Sequence, residues 1–544
     1  MNNNEPQQIT IVEIPEEEVE ISEEEKKETE KQIKKNNKEI VLILILILIL
    51  LAIGVKSFLD SQPTKVKEEK KDYTTEYKIT GNGLSDFDLY FLKVNNNYNN
   101  TIYSPLSIKY ALGMLEEASS GTTKSQITNI VGNYKYNKYT NNEHMSFANA
   151  MFIKNSYEKN ISKDYSKNLT NKYNAEIIYD DFSSAEKPNL WIKEKTLNLI
   201  EELFQDGDLE EANFILANAL GIDMEWNNLI QATCDNYTNQ YIVEFNHEKY
   251  DDSIDLLCDE IYHRIVFNEE LNAKSLQIGA TINNYDIIKT VGEGEIRKTV
   301  EEKYKAYLES EQGINDLASG LANPDVNSYL DQYIQELKEN YGVIKSSTDF
   351  SFYADEETIV FAKDLKKYDN TTLQYVAIMP KQEKLEEYIK DIDSKTINSL
   401  ISKLQTIEKD NFKENTIYKI NGSIPIFKYE YDLKLVKDLN KLGITDVFDK
   451  EKADLSSMTS SNSYIKDAFH KSNIEFSNEG IKASAATGTI GLGSTTGGFE
   501  YLFEVPIKQI NLDFEKPYIY FIRDKESGEV WFAGSIYEPL LIEE

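Results

Sequence analysis

His470 to Thr487 reads HKSNIEFSNEGIKASAAT, and two unlike habits meet inside it. Up to Phe476 the residues follow a strand-like pattern. After Asn478, Glu479, Gly480 and Ile481 come Ala483, Ser484, Ala485, Ala486 and Thr487, a run of small side chains. Such a run gives a surface loop nothing to pack with. It suits a segment that must later slide into a sheet, where small alternate side chains pass easily. Gly480 permits unusual backbone angles where that segment has to bend.

On either side the pattern mixes helices and strands. Ser104 and Pro105 fit the cap and first turn of a helix that continues through Ala111, Leu112, Met114 and Leu115. Phe214–Leu220 and Leu373–Met379 are short apolar runs of the buried-strand kind. Tyr518–Ile522 and Val530–Gly534 flank the turn Lys525–Gly528 and predict a hairpin. Helices mixed with hairpin-linked strands point to the α+β class.

A set of motifs in fixed order then carries a family resemblance. Ser104-Pro105-Leu106-Ser107-Ile108 opens it, followed by Phe147–Ala150, by Trp191–Thr196 and by ILANALGIDMEW, which ends at Trp226. Ile378–Pro380, Ile424–Phe427, Leu442–Phe448, FEKPYIYFIRD from Phe514 and FAGSIYEP from Phe532 complete the order. The chain resembles the serpins, inhibitors of serine proteases. The resemblance implies helices around a large central mixed β-sheet and an exposed reactive loop on a metastable native state. A protease cleaves the loop, and the acylated loop inserts into the sheet as a new strand, a known case of strand addition and of released strain. The trapped enzyme loses the oxyanion-hole donors its hydrolysis needs. The resemblance further implies that Glu479 to Thr487 form the hinge. It makes Ser104, Ser107, Asn218 and His470 a buried polar cluster beneath the opening strands, and sets Trp226 where the loop first inserts.

The chain departs from the family at three places. Ile481 stands where a small hydroxyl residue is usual, Asn478 replaces an acid, and the stretch from Gly480 to Pro517 is longer than expected. Counting forward from the hinge puts the bait bond at Ser494-Thr495. Counting back from Pro517 puts it near Val505, beside Tyr501, Leu502 and Phe503. No Lys or Arg occurs from Ala483 through Ile507, so the bait suits elastase-, subtilisin- or chymotrypsin-like enzymes better than trypsin-like ones. The expected partner is a serine protease, or alternatively a cysteine protease. The runner-up reading is a non-inhibitory serpin-fold surface binding module.

The remaining chain is organised around that domain. Residues 1–39 are acid-rich and polar, the composition of a disordered tail. Ile40–Val55 has no polar side chain, and with its flanks residues 40–59 reach the length of a transmembrane helix. A cleaved signal peptide is the alternative, disfavoured by the long polar leader. We expect a single-pass anchor, a stalk over 60–79 and an extracellular, monomeric serpin domain over 80–544, with its reactive loop at about 479–506. Near-equal lysine runs flank the apolar segment, so charge alone leaves orientation open. Residues 231–341 break the family pattern and read as an insertion carrying amphipathic helices at Ile296–Leu308 and Val326–Leu337. Cys234 and Cys258 lie there, able to form a disulfide or stand as unpaired thiols; their spacing with His247 and His263 is not that of a zinc site. A net charge of −34 disfavours nucleic acid. The absence of GxSxG and of any nucleophile–base–acid set disfavours an enzyme, and the glycines from Gly488 to Gly498 lack the Lys-Ser/Thr of a phosphate loop. Neither cofactor nor metal is expected.

Overall fold

The chain divides into two units, Met1–Lys71 and Asp72–Glu544. The computed structural model describes residues 76–539 of the second, apart from 206, 210, 228–264, 269–270, 272, 347, 369–370, 478–479 and 482–502. The apolar segment 40–59, Cys234, Cys258, Glu479, Ala483 to Thr487, Ser494, Thr495, Tyr501 and Leu502 therefore lie outside the described residues. Among those described, no helix is long and apolar enough to cross a membrane.

The predicted hairpin forms from Tyr518–Asp524 and Val530–Ile536, and Gly528 at φ +76° supplies its left-handed turn residue. Val530–Ile536 is buried along its whole length, as a strand covered on both faces should be. The pair belongs to a seven-stranded sheet. Thr101–Tyr103 lies beyond Val530–Ile536, and Leu373–Pro380, Thr358–Asp364, Ser351–Ala354 and Gln405–Thr406 follow on the other side. A five-stranded sheet orders Ile507–Asn511, Ile417–Pro425, Ala273–Asn283 and Ile265–Asn268, with Ile344–Ser346 also paired to Ala273–Asn283.

The central sheet differs from expectation. It occurs as two parts, one holding Glu176–Asp180, Met145–Lys154 and Phe214–Ile222, the other Phe427–Lys434, Phe469–Phe476, Gly480–Ile481 and Met224–Glu225. Phe214–Ile222 and Phe469–Phe476 face each other without a ladder between them.

Two helices frame this gap. Pro105–Ala118 starts as predicted, with the Ser104 hydroxyl accepting from the Ser107 amide at 3.1 Å, and buries Leu106, Ser107 and Ile108 in its first turn. Glu186–Lys195 lies over the three-stranded part, setting Trp191 edge-on to Phe152 at 5.8 Å. The segment after it crosses close to the sheet, because a Cβ on Gly221 would sit 2.7 Å from the Thr196 carbonyl carbon.

The amphipathic helices are present as Glu293–Leu308 and Val326–Asn340. Ala273–Asn283, within the span read as an insertion, is a sheet member with its neighbour Ile417–Pro425 paired along nine residues. Its side chains alternate between core and surface, so it belongs to the scaffold. The helices Ile287–Val291, Glu293–Leu308, Glu311–Ala318 and Val326–Asn340 occupy the stretch between Asn283 and Val343.

Candidate functional site

Phe214–Ile222 passes through Asp223 into Met224–Glu225, and Phe469–Phe476 runs in the same direction. Across the top of the gap between them lies the two-residue strand Gly480–Ile481, antiparallel to both. Gly480 faces Glu225, and Ile481 faces Met224 on one side and Phe476 on the other. The hinge is thus already seated in the sheet by two residues. Ile481 is buried at 3 % exposure, which explains why an apolar side chain is tolerated where the family pattern has a small hydroxyl.

Gly480 has its glycine for a different reason than backbone freedom. Its φ is not in the left-handed region. A Cβ there would lie 2.2 Å from the Met224 carbonyl oxygen and 2.7 Å from the Glu225 Cα, so the strand fits only without a side chain. Ser477, at the end of the neighbouring strand, is pinned from the other side. Trp226 is 1 % exposed and its indole N–H donates to the Ser477 carbonyl at 2.9 Å, while the Ser477 amide donates to the Gly480 carbonyl at 3.0 Å. Phe476 packs against the Trp226 ring at 5.5 Å.

Below the hinge the gap narrows to a slot made of two small adjoining pockets. Leu220 and Ser472 line both, Ile481 closes the upper one, and Asn218 and His470 line the lower one. The polar cluster expected here is present in two parts. On one wall the Ser104 amide donates to His470 Nε2 at 2.8 Å, and the Ser472 hydroxyl lies 3.1 Å from the same nitrogen. A backbone amide can only donate, so Nε2 is the bare nitrogen and the ring is the neutral Nδ1–H form. Burial pushes the His470 pKa down to about 4. On the opposite wall Asn218 donates to Asn149 Oδ1 at 2.7 Å, and Asn149 donates to the Tyr173 carbonyl at 2.8 Å. Ser104, Ser107 and His470 are brought together. Asn218 belongs to the other wall, and its Oδ1 is buried with no partner among the described residues.

Two members of these walls were missed in the sequence. Asn149 stood inside the quoted Phe147–Ala150 motif, and Ser472 lies two residues from His470, hence on the same strand face. Phe503 and Val505, at the described end of the reactive loop, lie against the helices between Asn283 and Val343.

A protein-family model described as "Serpin (serine protease inhibitor)" matches residues 85–278 and 331–539. The chain belongs to the serpin family. It is similar to mouse neuroserpin, 23% identical over 465 residues that cover 81% of this chain and 86% of that one. It is also similar to human leukocyte elastase inhibitor, 34% identical over 122 residues, 22% of this chain and 30% of that one. Among solved structures, the native state of the thermophilic serpin Tengpin superposes with a TM-score of 0.50 at 22% identity, covering 87% of this chain and 95% of that one.

For this serpin, replacing Gly480 by valine is expected to drive the hinge out from between Met224 and Phe476, at a cost of about 1–3 kcal/mol. The Trp226–Ser477 bond would go with it. The Trp226 contribution to fluorescence, taken as the difference from a Trp226→Phe background, should shift to the red. An unchanged difference spectrum would mean that the seated hinge tolerates a side chain.

Proposed function

We propose that this serpin is a suicide-substrate inhibitor of a chymotrypsin-, elastase- or subtilisin-like endopeptidase, tethered to the cell membrane by residues 40–59 with its folded unit outside. One observation carries the inhibitory part: the hinge is seated at the head of a gap between two strands that run the same way and share no ladder. Carried down the slot, the register of Gly480–Ile481 would bring Ala485 between Leu220 and Ser472, and Thr487 between Asn218 and His470. Those are the residues that line the cavities. Strand alternation would turn Ala483, Ala485 and Thr487 to the face that buries Ile481. The entering backbone would satisfy the unpaired edges on both sides and bury its apolar face, so insertion should be strongly downhill.

Incubating the full chain with chymotrypsin, pancreatic elastase and subtilisin should yield a complex that survives a denaturing gel. Ala485→Arg would force a guanidinium into the apolar interior, so cleavage should continue while the complex disappears. Loop cleavage of the unaltered chain should raise its melting temperature sharply. A chain cut by all three enzymes without complex or stabilisation would remove the inhibitory reading and favour a surface binding module. Deleting residues 40–59 should move the protein from the membrane fraction to the soluble one; retention would refute the tether.

A further inference from the structure

We infer that the helical segment between Asn283 and Val343 clamps the distal stem of the reactive loop, withdrawing Phe503 from attack and confining the bait bond to residues before it. This rests on the inhibitory reading and narrows it. The segment closes on itself at its base, where the Asn283 amide donates to the Val343 carbonyl at 2.9 Å and the Gly342 amide to the Asn283 carbonyl at 2.7 Å. Its helices Ile287–Val291, Glu293–Leu308 and Glu311–Ala318 fall in the stretch from 279 to 330 that the family model leaves unmatched. Those three helices have no counterpart in the family model, whereas Val326–Asn340 is matched from residue 331 on.

The segment has its own core, built on Ile296, Val300, Tyr333 and Ile334, and does not close it alone. Phe503 and Val505 from the loop stem pack against it, and Ile417 from the five-stranded sheet is buried within it. Ile417 also holds the loop through its backbone. Its amide donates to the Pro506 carbonyl at 2.9 Å, the Thr416 hydroxyl donates to the same oxygen at 2.6 Å, and Ile507 pairs beside Ile417 in the sheet. The helical segment grips that same stretch from its far side. The Asp286 amide donates to Asn415 Oδ1 at 2.9 Å, and Asn415 Nδ2 donates to the Thr290 hydroxyl at 3.1 Å. Residues Asn415–Ile417 thus tie the helices to the loop stem.

A protease takes its substrate as an extended strand with alternate side chains in its pockets. Phe503 cannot fill such a pocket and the helical core at once. Presenting it requires pulling an apolar side chain out of its packing and peeling the stem from Ile417. Of the two ways of counting the bait bond, the packing favours the forward one.

Chymotrypsin digestion of the full chain tests this, with cleavage positions followed in time by mass spectrometry. A synthetic peptide spanning residues 495–510 supplies the intrinsic preference for the bond after Phe503 relative to the bond after Phe499. In the folded protein that ratio should fall about ten-fold or more below its value in the peptide. Val300→Asp should return it towards the peptide value, as should the milder Ile334→Ala if the aspartate prevents folding. An equal ratio in protein and peptide would overturn the clamp, as would a ratio that neither folded variant moves. The ratio is read whether or not a covalent complex forms. A complex formed through the bond after Phe503 would overturn the clamp and leave the inhibitor intact; loss of every complex with a suppressed ratio would do the reverse.

Discussion

Replacing Lys109 by methionine is expected to lower the stability of the native form by about 3–5 kcal/mol, the cost of leaving buried charge without its partner. Lys109 is fully buried, with its ammonium 2.7 Å from Asp88 Oδ1 and 2.7 Å from Glu529 Oε1, both carboxylates being buried too. Asp88 takes further bonds from the Ser85 amide at 2.7 Å and the Ser85 hydroxyl at 2.9 Å, and Glu529 takes one from the Tyr134 hydroxyl at 3.1 Å. Methionine matches the lysine stem in length and apolarity, so packing is nearly kept and the change is electrostatic. Two carboxylates would then share a dry site with no cation. Adding Glu529→Gln to Lys109→Met should recover part of the loss, since the acid that must take up a proton once its cation is gone is then a permanent neutral amide. Urea midpoints of the three proteins check this. A single-variant loss below about 1 kcal/mol would show that the cluster is no better than a solvated pair. The consequence reaches the slot. Lys109 sits on the helix Pro105–Ala118, whose cap Ser104 gives its amide to His470. Loosening that helix should therefore also ease separation of the two halves of the central sheet.

None of this cluster was readable in the sequence, because its members are held together only by the fold. Asp88, Lys109 and Glu529 come from two helices near one end of the domain and a turn at the other, and each alone resembles an ordinary surface charge. The local elements were readable for the opposite reason. Phe214–Ile222 carries its strand signal in nine consecutive residues, and the Ser104-Pro105 helix start is fixed by its own cap. Pairing was the harder link. The small residues after Gly480 signalled insertion, yet nothing in them says that Gly480 and Ile481 are already seated beside Met224. Gly480 was read for its backbone freedom, whereas the structure uses its missing Cβ, a feature of what lies opposite. Ala273–Asn283 alternates visibly, but alternation cannot reveal that the strand runs between two others. Phe503 shows the same limit: an aromatic in a loop looks like bait until the helices packed on it are known.

His470 and Glu529 should give opposite slopes to the acid response of this serpin, each exposed by removing the other. Burial holds the His470 pKa at about 4, below its ordinary 6.5. The unfolded chain then binds the proton first, so the stability His470 contributes is present above pH 6.5 and lost as pH falls towards 4. Burial raises Glu529 to about 7 from 4.5, Asp88 adding to the rise and Lys109 opposing it. Here the folded form binds the proton first. The contribution is fully present below pH 4.5 and lost as pH rises through 7. Each contribution is on the order of a few kcal/mol over its window. The windows overlap and the signs are opposite. Glu529→Gln, a permanent neutral stand-in for the protonated acid, should expose the His470 slope, with stability falling below pH 6.5. His470→Gln should expose the other, with stability rising as pH drops from 7 to 5. Urea midpoints at pH 7.5, 6 and 5 for the three proteins decide between this and a single shared titration, in which all three profiles would run parallel. The His470 slope also bears on the slot. A protonated ring has no lone pair for the Ser104 amide, so in the Glu529→Gln background acid should break the Ser104–His470 bond of the slot wall. Thermal loss of the native form in that background should then run faster at pH 4 than at pH 7.5, and equal rates would separate the histidine from the opening of the sheet.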